Sequence, residues 1–334
     1  MSEVRAKKAL GQHFLVDLNI ARKICDALSG GVRPGTSAGE SAPADMAGNA
    51  GAGADTRVGT DGCADAGVGS LNGGGAGLAA GADARIAADT TAAGAPAAAE
   101  AGRGGAVPCD VLEVGCGMGV LTQFLLRRGD ITTYGAEIDP ESVEYLHAHF
   151  PEFAPRLIEG DFLKMNLRER FPRGLKIIGN FPYNISSQIF FKVLEHRDLV
   201  PECVGMIQKE VAVRIAEPPG SKEYGILSVL LQAWYDIEYL FTVNETVFNP
   251  PPKVKSAVIR LRRNSVGRLG CDEALFVKVV KASFGQRRKM IRNSLRAVFG
   301  DFGGAEHPFF TQRAEQLSVA DFVQLTDWVA ANRK

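Results

Sequence analysis

The residues with the clearest chemical potential are Asn180-Phe181-Pro182-Tyr183, which close an apolar run that reads as a buried strand, LKIIGN. Asn and Pro both favour loop conformations, so turn chemistry accounts for those two. It does not account for two aromatic rings left at the end of a strand. Three other strand ends carry matching polar groups. LEVGCGMG ends in Glu113 and the glycines Gly115, Gly117 and Gly119, TTYGAEID in Glu137 and Asp139, and PRLIEGD in Asp161. Glycines at a strand-to-helix turn let the backbone approach a ligand closely. A carboxylate about twenty residues beyond such a turn can take both hydroxyls of a ribose. Asp161 can accept from an adenine amino group, and Asn180 can both donate and accept.

A tight turn or a solvated loop carboxylate explains any one of these features equally well. Their order at four successive strand ends points instead to one crevice. The glycine spacing is not the dinucleotide fingerprint G-x-G-x-x-G, because the third glycine comes one residue early. Ribose and adenine partners without a pyrophosphate grip suit a nucleoside cofactor that lacks phosphates, of which S-adenosylmethionine is the obvious one.

These residues need a scaffold that delivers strand ends to one edge. After the helical spacing of DLNIARKICDAL, the chain alternates strand and helix from CDVLEVG to KEVAVRIA, with helices expected at GVLTQFLLRRG, PESVEYLHAHF and SQIFFKVLEH. Such alternation implies a parallel sheet covered on both faces, with its ligand at the carboxyl ends of the strands. YDIEYLFTV and SAVIRLRR then read as a pair of strands. From about Leu269 only helical periods follow: DEALFVKVVKASF, QRRKMIRNSLRAVF and VADFVQLTDWVAAN, the last preceded by the capping signal Ser318/Asp321. The expected organisation is an arm and first helix over 1–34, an insertion over 35–106, the α/β domain over 107–268 and a smaller helical domain over 269–334.

The insertion is compositionally foreign: 18 Gly and 24 Ala with no Phe, Tyr or Trp. So few large apolar groups cannot offset the entropy of ordering the chain, and a flexible surface segment is expected. The formal net charge of zero conceals a local surplus. Phe276 to Gly300 holds seven Lys or Arg and no acid, which is a candidate polyanion surface or simply a solvated helix face. The six cysteines form no C-x-x-C pair, so reduced thiols are expected rather than disulfides or a zinc site. His147 and His149 do not share a helical face and read as solvated rather than metal-binding. No transmembrane run or signal-peptide core is visible, and a cytoplasmic protein without metal or membrane contact is expected.

ALGQHFL, EVGCGMGVLT, EID, GNFPYNISS, VFNPPPKVKSAVIRL and FGQRRKMIRNSL together resemble the ribosomal RNA adenine dimethyltransferases, more narrowly the group that dimethylates two adjacent adenines near the 3′ end of small-subunit (16S) rRNA. The resemblance covers nearly all of the chain outside 35–106. It implies a Rossmann-like α/β methyltransferase domain with a seven-stranded, mostly parallel sheet, a small C-terminal helical domain, S-adenosylmethionine as cofactor, and the small ribosomal subunit as partner of a monomeric enzyme. It places His13 and Leu15 beside the methionine end, Gly115 at the turn, Glu137 on the ribose, Asp161 on the adenine and Asn180 at the reacting centre. The family usually has Asn where this chain has His13. Catalysis is assigned to Asn180, Phe181, Pro182 and Tyr183: two oxygens accept the N6 hydrogens, Pro182 fixes the Phe181 carbonyl, and Tyr183 stacks on the base. RNA contacts are expected at Phe248, Arg287, Arg288, Lys289 and Arg292, although Phe248 could equally be core. The alternatives are the related large-subunit rRNA methyltransferases of the antibiotic-resistance type, an assembly factor whose methylation is incidental, and a small-molecule methyltransferase, which would not need the basic block.

Overall fold

The computed structural model of the chain describes residues 4–30 and 108–333. The expected insertion, 35–106, lies outside the described residues. Seven strands form one sheet: β1 (Cys109–Val114), β2 (Ile131–Glu137), β3 (Leu157–Glu159), β4 (Lys176–Asn180), β5 (Glu202–Gln208), β6 (Tyr235–Val243) and β7 (Ser256–Arg263), in the order β3-β2-β1-β4-β5-β7-β6. The first five are parallel, and β7 runs antiparallel between β5 and β6. Every residue of β1 is buried, as expected for a central strand covered on both faces. The strand order reverses between β1 and β4, so their carboxyl ends splay open into a crevice.

Ten helices surround this sheet: α1 (Leu18–Ala27), α2 (Thr122–Leu125), α3 (Pro140–His149), α4 (Leu167–Arg170), α5 (Ser186–Glu195), α6 (Lys209–Ala216), α7 (Ile226–Gln232), α8 (Glu273–Gly285), α9 (Ile291–Phe299) and α10 (Val319–Asn332) among the described residues. Local signals set several boundaries. Asp17 caps α1 by accepting from the N–H groups of Asn19 and Ile20, and Ser318 with Asp321 forms the expected capping box of α10. Helix α2 is shorter than its sequence suggests. The chain leaves it so that Arg128 can donate to the carbonyls of Cys25 at 3.0 Å and Leu28 at 2.8 Å, at the end of α1.

The C-terminal helices share the core of the sheet. Trp234 meets Phe276 of α8 edge to face at 6.0 Å, and Tyr224 lies 6.3 Å from Phe284. One buried apolar cluster runs from Leu112 and Ile177 through Trp234 to Phe276 and Phe322. The boundary expected near 269 is therefore a change of element type, with no break in packing. At the amino ends of the strands, Lys176 and Glu202 pair at 3.0 Å with side chains only 5% and 3% exposed. Both hold the exit of α1: Lys176 donates to the carbonyls of Ser29 and Gly30, and Glu202 accepts from the Ser29 N–H. Removing one partner of such a buried pair costs about 3–5 kcal/mol.

Candidate active site

The crevice at the carboxyl ends of the strands is a cleft of about 1150 Å³, its open mouth included, and it brings together His13, Leu15, Gly115, Glu137, Asp161, Asn180, Phe181, Pro182 and Tyr183. Nine positions chosen from scattered motifs thus share one wall system. The turn after β1 works as the glycines suggested. Gly115, Gly117 and Gly119 have φ of 76°, 52° and 75°, a region other residues seldom adopt. A Cβ on Gly117 would also press on the Phe14 ring at 3.0 Å.

Glu137 is 4% exposed and is held by three backbone donors. Gly117 N–H reaches Oε2 at 2.8 Å, while Ile138 and Asp139 N–H reach Oε1 at 2.9 Å each. Burial raises its pKa, and these three hydrogen bonds oppose the rise. A carboxylate has about four acceptor directions, so capacity remains for a ribose hydroxyl. Asp161 fixes its own turn by accepting from Leu163 N–H at 2.9 Å, and its side chain stays 28% exposed beside the cleft. These groups fit an adenosine moiety: a fixed acidic acceptor, a second acid further along, and a glycine turn that admits close approach.

Asn180 ends β4, and its Nδ2 donates to the His13 carbonyl at 2.9 Å. Only the amide nitrogen can face a carbonyl, so the contact fixes which end of the amide is which and leaves Oδ1 as an acceptor without a partner among the described residues. The Phe181 ring turns inward. It is 1% exposed, lies edge-on to Phe190 at 5.8 Å, and occupies space that glycines at 179 and 205 leave open. A Cβ on Gly205 would stand 2.4 Å from that ring. Burying the ring contributes about 1.5–3 kcal/mol and anchors the backbone carbonyl of Phe181 at the cleft. The two aromatics at the end of this strand differ: Phe181 is buried, and Tyr183 is half-buried. Tyr183 hydroxyl bonds to Ser256 Oγ, and its ring lies 5.3 Å from the His13 ring at 31°.

Sequence reasoning missed how the N-terminal arm is held. Phe14–Leu15 pairs antiparallel with Phe248–Asn249, and His13 Nδ1 donates to the Pro250 carbonyl at 2.8 Å. Lys7 pairs with buried Asp139 and with Glu141, while Gln12 Nε2 donates to Asp139 at 3.3 Å. Burial alone would raise the Asp139 carboxyl. Hydrogen bonds from Lys7, Gln12 and Ser142 outweigh that and hold it below the usual range. Glu113, at the same strand end as the glycines, carries no role in the sequence reading. It is 1% exposed, takes a 2.6 Å hydrogen bond from Thr122 on Oε2, and leaves Oε1 without a partner among the described residues. Burial pushes its carboxyl up to about 8.

Two expectations about RNA contacts need correction. Phe248 is 3% exposed and packs in the cluster with Leu15 and Val258, so its ring offers no stacking face. The basic block is also not one helix. Arg287, Arg288 and Lys289 lie in the turn before α9, so Arg288 and Arg292 share no helical face. The turn is imposed by pairing with a distant segment, with Ile291 N–H donating to the Gln312 carbonyl at 2.8 Å. Arg287 is bound to the Lys222 carbonyl, and Arg292 pairs with Glu306 and lies over the Phe310 ring at 5.6 Å. Arg288 and Lys289 remain exposed. His147 pairs with Glu159 at 3.1 Å and His149 stacks on Tyr145 at 3.9 Å. Among the described residues no group of three His, Cys, Asp or Glu could hold a metal ion, and no helix is long and apolar enough to cross a membrane.

A family model described as ribosomal RNA adenine dimethylase matches residues 108–331. The ribosomal RNA small subunit methyltransferase A of Porphyromonas gingivalis is 46% identical over 330 residues, 98% of each chain. The protein of the same name from Parabacteroides distasonis is 61% identical over 218 residues, 65% of this chain and 81% of its own. Among solved structures, a dimethyladenosine transferase from Plasmodium falciparum is similar with a TM-score of 0.56 at 25% identity, covering 67% of this chain and 90% of that one.

Proposed function

The chain belongs to the ribosomal RNA adenine dimethylase family, and on that footing we propose that it dimethylates N6 of two adjacent adenines near the 3′ end of 16S rRNA, on the small ribosomal subunit in the cytoplasm. The observation that carries this reading is the commitment of Asn180 Nδ2 to the His13 carbonyl. It leaves Asn180 Oδ1 as an acceptor, on a residue that lines the cleft beside Phe181, whose carbonyl is assigned as the second acceptor.

The N6 lone pair of adenine is delocalised into the ring, which makes the amino group a poor nucleophile. Two fixed acceptors can take both N–H hydrogens and favour a pyramidal nitrogen. Pro182, with its fixed φ, holds the Phe181 carbonyl in place, and the Tyr183 ring offers a stacking face for the extruded base. S-adenosylmethionine, when bound, supplies an electrophilic methyl on a cationic sulfur. Glu137 is assigned to its ribose, Asp161 to its adenine, Gly115 to the turn beneath it, and His13 and Leu15 to its methionine end. No strong base is needed before attack, so the protein contributes mainly positioning. Exposed Arg288 and Lys289 in the turn before α9 are proposed to contact rRNA phosphates, with the helices from 269 onward as an RNA-facing lobe of a monomer.

The test is methyl transfer to small subunits from a strain lacking this chain, with the modified nucleotides mapped by mass spectrometry. Asn180→Ala should leave the fold and RNA binding largely intact but lose on the order of 10²–10³ in rate, as when an oriented transition-state hydrogen bond is removed. Methylation of large subunits instead, or near-normal turnover by the variant, would contradict the proposal.

A further inference from the structure

We propose that Lys209, Lys253 and Lys255 form a phosphate-binding rim on the catalytic sheet, gripping the rRNA strand that flanks the target adenine. This inference rests on the rRNA reading above. It adds to the exposed pair before α9 a second RNA surface, at the mouth of the cleft.

The placement follows from the backbone. Lys209 follows β5 and Lys255 precedes β7, two strands paired at Gln208 and Ser256. Lys209 N–H donates to the Lys255 carbonyl at 2.9 Å, so the two residues sit side by side. The next residue, Ser256, holds the Tyr183 hydroxyl, which puts the lysines beside the proposed stacking face. Residues 250–255 are tied down at both ends, by His13 on the Pro250 carbonyl and by Tyr183 on Ser256. Three consecutive prolines, Pro250 to Pro252, restrict the chain between these ties.

This rigid segment presents charge outward. Lys209, Lys253 and Lys255 are exposed, and none has a carboxylate partner among the described residues. The nearest acid in sequence, Glu210, is taken by Arg214 at 2.8 Å. Val254, between two of these lysines, is 46% exposed, so the segment is an open surface. Three uncompensated cations on a pinned loop match a phosphodiester backbone, since phosphate contacts position a nucleic acid without reading its sequence. A strand whose base has been extruded onto Tyr183 must run past this rim.

The experiment uses the full chain with unmodified small subunits, measuring binding over a range of KCl concentrations together with methylation kinetics. The Lys209→Gln/Lys253→Gln/Lys255→Gln variant should lower the log–log salt slope by roughly two, from about 0.7–0.9 per lost phosphate contact. KM for subunits should rise at least several-fold, with S-adenosylmethionine affinity and melting temperature unchanged. The corresponding triple Lys→Arg variant should keep the wild-type slope. An unchanged slope in the Gln variant overturns the rim, as does a slope change accompanied by lost cofactor affinity and lower melting temperature. Failure of the underlying reading is separate: wild-type protein would then leave small-subunit rRNA unmethylated, while the slope comparison still decides whether these lysines bind it.

Discussion

Glu113 shows how much a single residue at this site can store. A carboxyl whose folded-state pKa lies near 8, against about 4.3 in an unfolded chain, binds more protons folded than unfolded between those values. Its contribution to stability is fully present below the unfolded pKa and is lost as pH rises through the folded one. Wild-type stability should therefore fall between about pH 5 and 8, with up to about 1.4 kcal/mol per pH unit coming from this group. Glu113→Gln keeps an acceptor for Thr122 and removes the titration. Urea unfolding across that range should show a flatter curve for the variant and a gain in stability at pH 8. Equal slopes would mean that the carboxyl is already ionised. Buried Glu137 shifts in the same direction, so the difference between variant and wild type, not the wild-type slope alone, isolates Glu113. Sequence reading found the residues whose chemistry is local to a strand end: Gly115, Glu137, Asp161 and Asn180. It could give Glu113 at the first strand end no role, since its importance lies in being sealed beneath the turn, nor decide Phe248, whose burial depends on pairing with Leu15 from the other end of the chain.

At the scale of elements, the central strands β1, β4 and β5 were legible because buried parallel strands leave continuous apolar runs, and α10 because its cap is written in Ser318 and Asp321. The helical period read from Gln286 begins five residues ahead of α9, which starts at Ile291. Gln286 to Lys289 have good helical propensity, but tertiary pairing of Met290 with Arg313 overrides it. The consequence is a sharper expectation for RNA binding. Arg288→Ala/Lys289→Ala should weaken subunit binding and lower the salt slope by roughly one to two, whereas Arg292→Ala should act mainly through its contacts with Glu306 and Phe310 and lower melting temperature instead. If Arg292→Ala alone changed the slope, these roles would be reversed. The arm makes a second element-scale prediction. Lys7→Met removes the cation from Asp139, whose depressed carboxyl contributes stability above its unfolded pKa that is lost as pH falls through the folded one. Calorimetric titration should show several-fold weaker S-adenosylmethionine binding, because residues 10–15 form one wall of the cleft. Unchanged affinity would show that the pairing of Phe14–Leu15 holds the wall by itself.

For the molecule as a whole, deleting residues 36–105 and joining the ends should leave methylation of small subunits and melting temperature nearly unchanged. The motive is compositional, since a stretch of 18 Gly and 24 Ala without aromatic residues has little with which to build a core. A large loss of either property would refute this. The described chain leaves off at Gly30 and resumes at Pro108, next to the first residues of β1, β4 and β5. Parallel strands carry their reacting groups at the other end. The Lys176–Glu202 pair holds Ser29 there, at the opposite end of β4 from Asn180. Residues 30 and 108 therefore lie at the end of the strands away from the cleft, where a label can be attached. A biotin acceptor or fluorophore carrier grafted in place of 36–105 would let single molecules be tethered or tracked while the cleft still faces free subunits.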